Sequence, residues 1–214
     1  MIEIKTFYFN DLRVCTYLLW DSTKESVIVD PGCHSAAEEQ RLLRFIEEKG
    51  LKPQLLVNTH GHFDHILGNG FIYKKWGLKA HIHKEDKPHL ERAQSHAELF
   101  GYIIEKPPLE TIELKEGDTL SFGNSYLKVI ETPGHSRGGV SLYNPNQKFV
   151  ITGDSLFAGS IGRTDLPGGD YEVLMDSLFT KLLKLGKEYT VYPGHGPSTT
   201  IAHELLTNPF LKYE

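Results

Sequence analysis

The stretch Thr59-His60-Gly61-His62-Phe63-Asp64-His65 constrains this chain more than any other feature. Three imidazoles and a carboxylate within six residues are costly to bury unpaired, and they are the ligand types of a divalent transition metal. Residues 55–58 before it form a short apolar run that reads as a strand. Residues 66–76 after it read as a helix closed by Gly77, although Gly68 and Gly70 weaken that pattern. A loop between strand and helix is where α/β architectures place their sites. His60 and His62, two apart on an extended strand end, can face one side and grip one cation. Asp64 and His65, a turn further on, can hold a second. Four ligands from so short a segment cannot all close on one tetrahedral ion, and a catalytic ion needs an open position. The stretch therefore predicts two metals and further ligands elsewhere in the chain.

Three later segments supply them, each in a turn directly after a predicted strand. Pro133-Gly134-His135 follows the strand 126–131, Gly153-Asp154 follows 148–152, and Pro193-Gly194-His195 follows 188–192. Proline fixes such a turn, and glycine, lacking a Cβ, lets the backbone approach an ion. A lone Pro-Gly-His is more often only a turn. Three such segments together with the histidine cluster are a specific signal.

Elsewhere the pattern gives strands over 2–8, 14–20 and 26–30, the last stopped by Asp30-Pro31-Gly32. A helix follows with Ser35 and Glu38 as a capping box, Leu42, Leu43 and Ile46 as its apolar stripe, and Gly50 as its stop. A strand is expected over 79–83, a polar helix over 86–100, and a β-rich section over 110–152. Asp170 caps a helix with the stripe Leu174, Leu178, Leu182 and Leu185, and a last helix covers 198–207. No Pro/Gly/Ser-rich linker divides the chain. Residues 1–214 are read as a single domain of α+β class, two sheets with helices outside them.

Composition narrows the function. A formal charge of −5 lacks the basic surplus that phosphate tracking requires, so a small-molecule partner is expected and nucleic acid is not. Cys15 and Cys33 imply no disulfide framework, and the N-terminus has no signal-peptide pattern. No run of about 18 apolar residues exists to span a membrane. A cytoplasmic protein is expected, of undetermined oligomeric state.

The motifs quoted above, taken together, resemble the metallo-β-lactamase superfamily over the whole chain. The resemblance implies a four-layer αββα sandwich with the site at one edge between the sheets. It implies that His60, His62 and His135 bind one metal, that Asp64, His65 and His195 bind a second, and that Asp154 bridges both. It leaves His81, His83, His34, His89, His96 and His203 as strand or solvated residues. Asp30 is a candidate to orient a ligand from behind, with a plain turn-capping role as the alternative.

Two divalent ions, zinc first with iron or manganese as alternatives, can make a hydroxide near neutral pH. Hydrolysis of an ester, thioester or amide is therefore expected, with Asp64 orienting or deprotonating the water. The loop after Asp154 carries Arg163, a candidate for an anionic substrate group, and Asp165, with which it can instead pair. That loop is similar to the glyoxalase II-like branch, hydroxyacylglutathione hydrolases and their short bacterial relatives. Full-length members continue into a helical domain that supplies basic residues for glutathione, whereas this chain stops four residues after Phe210. The expected activity is hydrolysis of a small thioester such as S-lactoylglutathione. A mononuclear-iron persulfide dioxygenase is the alternative, and a nuclease of the same superfamily the second.

Overall fold

The computed structural model of the protein describes residues 1–212. The first sheet runs in chain order: β1 (Glu3–Phe9), β2 (Val14–Trp20), β3 (Glu25–Val29), β4 (Lys52–Val57), β5 (Ala80–His83) and β6 (Thr111–Leu114). Its first three strands are antiparallel; β3 to β6 are parallel. The second sheet contains β7 (Thr119–Phe122), β8 (Ser125–Glu131), β9 (Val140–Asn144) and β10 (Phe149–Gly153). After a small hairpin, β11 (Leu156–Phe157) with β12 (Ser160–Ile161), it is completed by β13 (Thr190–Pro193) and β14 (Thr199–Thr200), with β13 parallel to β10.

Alternation along the strands assigns side chains to layers. Cys15, Tyr17 and Leu19 of β2 meet Leu127 and Val129 of β8 and Phe149 and Ile151 of β10 in a core between the sheets. Leu18 and Trp20 point the other way, toward Leu42 and Ile46 of helix α1 (Ala36–Lys49). Val150 and Ile130 likewise face out of the second sheet toward Leu174, Leu178 and Ile201. The result is helix, sheet, sheet, helix, as expected. α1 begins with the predicted capping box, Ser35 Oγ accepting from Glu38 N–H, and ends at Gly50 in the left-handed conformation.

Four predicted helices take different bounds. The helix expected at 66–76 is two: α2 (Phe63–Ile66) and α3 (Asn69–Trp76). Gly68 separates them because its N–H donates to Pro31 O at 2.7 Å and a Cβ there would lie 2.5 Å from Cys33 Sγ. The break puts Asp64 and His65 on α2 itself. The polar helix expected at 86–100 is a 3₁₀ turn (Lys84–Asp86), α4 (Lys87–Glu91) and α5 (Ala93–Leu99). Asp86 cannot cap a longer helix because its carboxylate is bonded elsewhere. The stripe from Leu174 to Leu185 belongs to α6 (Tyr171–Thr180) and a 3₁₀ turn (Leu182–Leu185), interrupted at Lys181, whose ammonium reaches Glu131 O and Glu116. The last helix, α7 (Ile201–Thr207), starts after β14 and is capped by Thr200. No described helix is long and apolar enough to cross a membrane.

Candidate metal centre

Every candidate ligand lies just past the carboxyl end of a strand or on the short helix that follows. His60 and His62 lie beyond β4, with Asp64 and His65 on α2. His135 lies beyond β8, Asp154 directly after β10 and His195 after β13. The two sheets bring these ends together at one edge of the sandwich. β2 ties the last turn down: Cys15 N–H donates to Gly194 O at 2.7 Å, and Tyr17 Oη donates to Pro193 O at 2.6 Å.

The seven side chains converge as two groups that share Asp154. In the first, one ligand atom from each of His60, His62 and His135 falls within a mutual 4.8 Å; His62 Nδ1 is 2.9 Å from His135 Nε2. The second holds Asp64, His65 and His195 in the same way. There His65 Nε2 is 3.3 Å from His195 Nε2, and His195 Nε2 is 3.3 Å from Asp64 Oδ2. The Asp154 carboxylate, 11% exposed, lies 3.5 Å from His135, 3.4 Å from His65 and 3.6 Å from His195.

Three observations test whether these groups fit metal ions. Ligands about 2.0–2.1 Å from a tetrahedral ion lie roughly 3.3 Å from one another, and the observed separations scatter around that value. His60 Nε2 and Asp154 Oδ1 are buried with no hydrogen-bond partner among the described residues, as atoms reserved for a cation would be.

The third is the way the histidines are held from behind. Carbonyl and carboxylate oxygens only accept, so a ring nitrogen bonded to one must carry the proton. His135 Nδ1–H donates to Arg163 O at 2.8 Å, His195 Nδ1–H to Leu12 O at 3.0 Å, and His65 Nδ1–H to Asp30 Oδ2 at 3.0 Å. Thr59 Oγ1 donates to Asp30 Oδ2 at 2.6 Å, which leaves it to accept from His60 Nδ1–H at 3.1 Å. In all four rings Nδ1 is turned outward to its partner and Nε2 faces inward, the arrangement metal-binding imidazoles adopt. Asp30 thus braces two of them, and it also accepts from Thr59 N–H at 2.7 Å. It does so from a left-handed backbone conformation (φ 49°), strained for a residue other than glycine.

The electrostatics agree. Burial, with the neighbouring imidazoles, holds His60 well below the ordinary histidine range and His62 down at about 3, so both offer lone pairs at neutral pH. Burial would also lower His65, but Asp154, Asp64 and Asp30 outweigh it and raise it well above that range. Against the cost of burial, His65 holds both Asp64 and Asp154 low, with help from His195 and, for Asp154, His135. The second group therefore keeps protons that a cation would displace.

A cleft of about 460 Å³ opens over both groups. Leu12, Phe63, Leu99, Phe100, Leu166 and Pro167 give it apolar walls, and Phe63 stacks on Phe100 at 5.1 Å. Arg163 borders it with its guanidinium in a two-pronged pair to Asp165, at 2.7 Å for each bond.

His89 and His96, expected to be solvated, also line the cleft, with His89 meeting the His62 ring at 5.1 Å. The helix expected over 86–100 is broken, and His89 lies on α4 and His96 on α5. His81 is a strand residue bonded to Leu56 O, while His34 and His203 are exposed, as expected. Cys33 is a buried core thiol whose pKa burial raises strongly. The sequence assigned no role to Thr59, whose hydroxyl links Asp30 to His60, or to the carbonyls of Leu12 and Arg163, whose roles come from backbone position rather than residue type.

The profile of the Metallo-beta-lactamase superfamily matches residues 10–195, a span that contains every one of these side chains. The chain belongs to the metallo-beta-lactamase superfamily. Among its relatives, the hydroxyacylglutathione hydrolase GloC of Haemophilus influenzae is 38% identical over 200 residues, 91% of each chain. The superfamily fold is shared with the BLEG-1 B3 metallo-beta-lactamase, at a TM-score of 0.90 and 33% identity over 99% of this chain and 100% of that one. TTHA1623, solved in a di-iron-bound form, gives a TM-score of 0.88 and 39% identity over 97% of this chain and 100% of that one.

Proposed function

We propose that this superfamily member is a metal-dependent hydrolase of a small thioester, of the kind represented by S-lactoylglutathione. It would use two divalent ions held by His60, His62 and His135 and by Asp64, His65 and His195, with Asp154 shared. Zinc is the favoured metal; the di-iron form of TTHA1623 makes iron the next candidate. The observation that carries the reading is the convergence of His65, His135 and His195 Nε2 to within 3.6 Å of one carboxylate, Asp154, which lines the floor of an apolar cleft. The relationship to GloC supports a thioester as the substrate class.

Bound ions supply Lewis acidity here, acidifying water and polarising an acyl carbonyl. The chain's own groups do the rest. Asp64 is held ionised by His65 and His195, so its carboxylate can orient a water and accept its proton. Phe63, Phe100, Leu166 and Pro167 exclude bulk water from one side of the cleft, which strengthens every electrostatic contact inside it. Its size suits a small molecule rather than a polymer.

Metal analysis of the purified protein beside a hydrolysis screen tests the proposal. The screen should include S-lactoylglutathione, simple acyl thioesters and a chromogenic β-lactam. Two metals per chain with thioester turnover abolished by chelation is the expected result. One iron per chain with oxygen uptake on glutathione persulfide, or turnover of the β-lactam alone, overturns it.

A further inference from the structure

Asp86 touches none of the seven candidate ligands, yet it is fully buried and its carboxylate joins the two loops that carry three of them. Oδ2 accepts from Gly61 N–H at 2.8 Å and from Ser136 Oγ–H at 2.8 Å; Oδ1 accepts from Gly138 N–H at 2.7 Å. Gly61 lies between His60 and His62. Ser136 is the residue after His135, and Gly138 is two further on. One side chain therefore spans the His60–His62 arm and the His135 arm.

The backbone is shaped around this contact. A Cβ at Gly61 would stand 2.7 Å from Asp86 O and 2.8 Å from His89 Cβ. A Cβ at Gly138 would stand 2.8 Å from Asp86 N and 2.9 Å from Asp86 Oδ1. Both loops come as near to residue 86 as glycine permits. The same segment leads into α4, which lays His89 on the outer side of His62. Three donors from two loops converge on a carboxylate that offers only acceptors, so no neutral side chain of that size satisfies all of them. In asparagine, one end of the group becomes a donor facing a donor.

The geometry points to Asp86 as a positioning residue that sets the distance between the two arms and so governs the affinity of one metal group, His60, His62 and His135. The other group, Asp64, His65 and His195, stands outside its reach; its His65 is braced by Asp30. Asp86 thus stands behind the first group alone, whereas Asp30 braces His65 directly and His60 through Thr59. This assignment rests on the reading of the seven side chains as metal ligands.

The test compares zinc retention in the full chain for the wild type, Asp86→Asn, Ser136→Ala and Asp21→Asn. Asp21 is a matched control: it is also buried and accepts several hydrogen bonds, from Thr23, Asn124 and Ser125, at a turn that carries no ligand. Zinc per chain is followed against a competing chelator, with melting temperature recorded alongside. The expected result is that Asp86→Asn weakens one of two zinc ions by about 10- to 100-fold, the range typical of groups supporting metal ligands, and leaves the other unchanged. Ser136→Ala shifts the same ion in the same direction by less, and it carries the test if Asp86→Asn fails to fold. In a His62→Ala background, Asp86→Asn has no further effect on the remaining zinc. Asp21→Asn lowers the melting temperature and leaves both affinities alone. If Asp86→Asn and Ser136→Ala cost stability only, with both affinities at the wild-type value, the assignment is overturned while the metal centre stands. A wild-type protein that takes up no zinc or other divalent metal overturns both.

Discussion

Gly194 approaches Asp154 so closely that a Cβ on it would stand 2.0 Å from the carboxylate Oδ1. The same Cβ would lie 2.8 Å from His65 Cε1, and the backbone cannot retreat because Gly194 O accepts from Cys15 N–H. Gly194→Ala should therefore displace the shared carboxylate and cost metal affinity by at least about tenfold. Far-UV circular dichroism should remain that of the wild type, because residue 194 follows the last long strand of its sheet. Wild-type zinc retention in a folded Gly194→Ala protein contradicts the shared role of Asp154.

Asp154→Ala should abolish hydrolysis and remove the stabilisation that metal gives, whereas His62→Ala should weaken one ion only. Ligand binding to the folded state contributes about 2.7 kcal/mol per site at a hundredfold excess over Kd. The wild type should thus melt well above its chelated form, and the Asp154→Ala protein should melt alike with and without chelator. Calorimetry in both conditions decides the point.

The cleft walls predict how substrates are told apart. Phe100 is 55% exposed, so its truncation removes about 1 kcal/mol of apolar contact, and Phe100→Ala should raise KM for an aliphatic thioester by roughly fivefold. Arg163→Ala breaks an exposed ion pair and should change stability by less than about 1 kcal/mol. It should leave KM unchanged for an uncharged thioester. A rise with S-lactoylglutathione alone would identify Arg163 as the contact for a substrate carboxylate.

Acid should expose the contribution of Asp21. Burial would raise its pKa, but hydrogen bonds from Thr23, Ser125 and Asn124 hold it down at about 2 in the folded protein. The folded pKa lies below the unfolded one, near 3.9, so the stabilisation is complete above the unfolded value and is lost as pH falls from about 4 toward 2. Asp21→Asn should be less stable at neutral pH, by about 1–3 kcal/mol for the lost charged hydrogen bonds. The gap to the wild type should narrow across that acid window in urea titrations at several pH values.

Much of this molecule is legible in local pattern. The capping box of α1, the alternation of β2 and β8, and the ligand turns after β8, β10 and β13 are written in residues that act on their near neighbours. Asp86 is not, because its partners are 25, 50 and 52 residues away and nothing beside it in sequence signals them. The helix expected from residue 86 fails for the same reason: a side chain that could cap it is committed to distant loops. The break at Gly68 depends on Cys33 and Pro31, which come close only once β3 and β4 are paired. Helical periodicity describes one element facing a core. It does not describe an element shaped by two loops folding over it.

The bridge between Val14 and His195, with the Cys15 to Gly194 hydrogen bond beside it, joins positions about 180 residues apart. Contacts of such separation form slowly and late, after the loop between them has closed. The second candidate group includes His195 and so assembles only after nearly all of the described chain is in place, while the three histidines of the first lie between residues 60 and 135. Metal capture at the second group would thus mark finished folding, because a nascent chain that has emerged only through His135 lacks both Asp154 and His195.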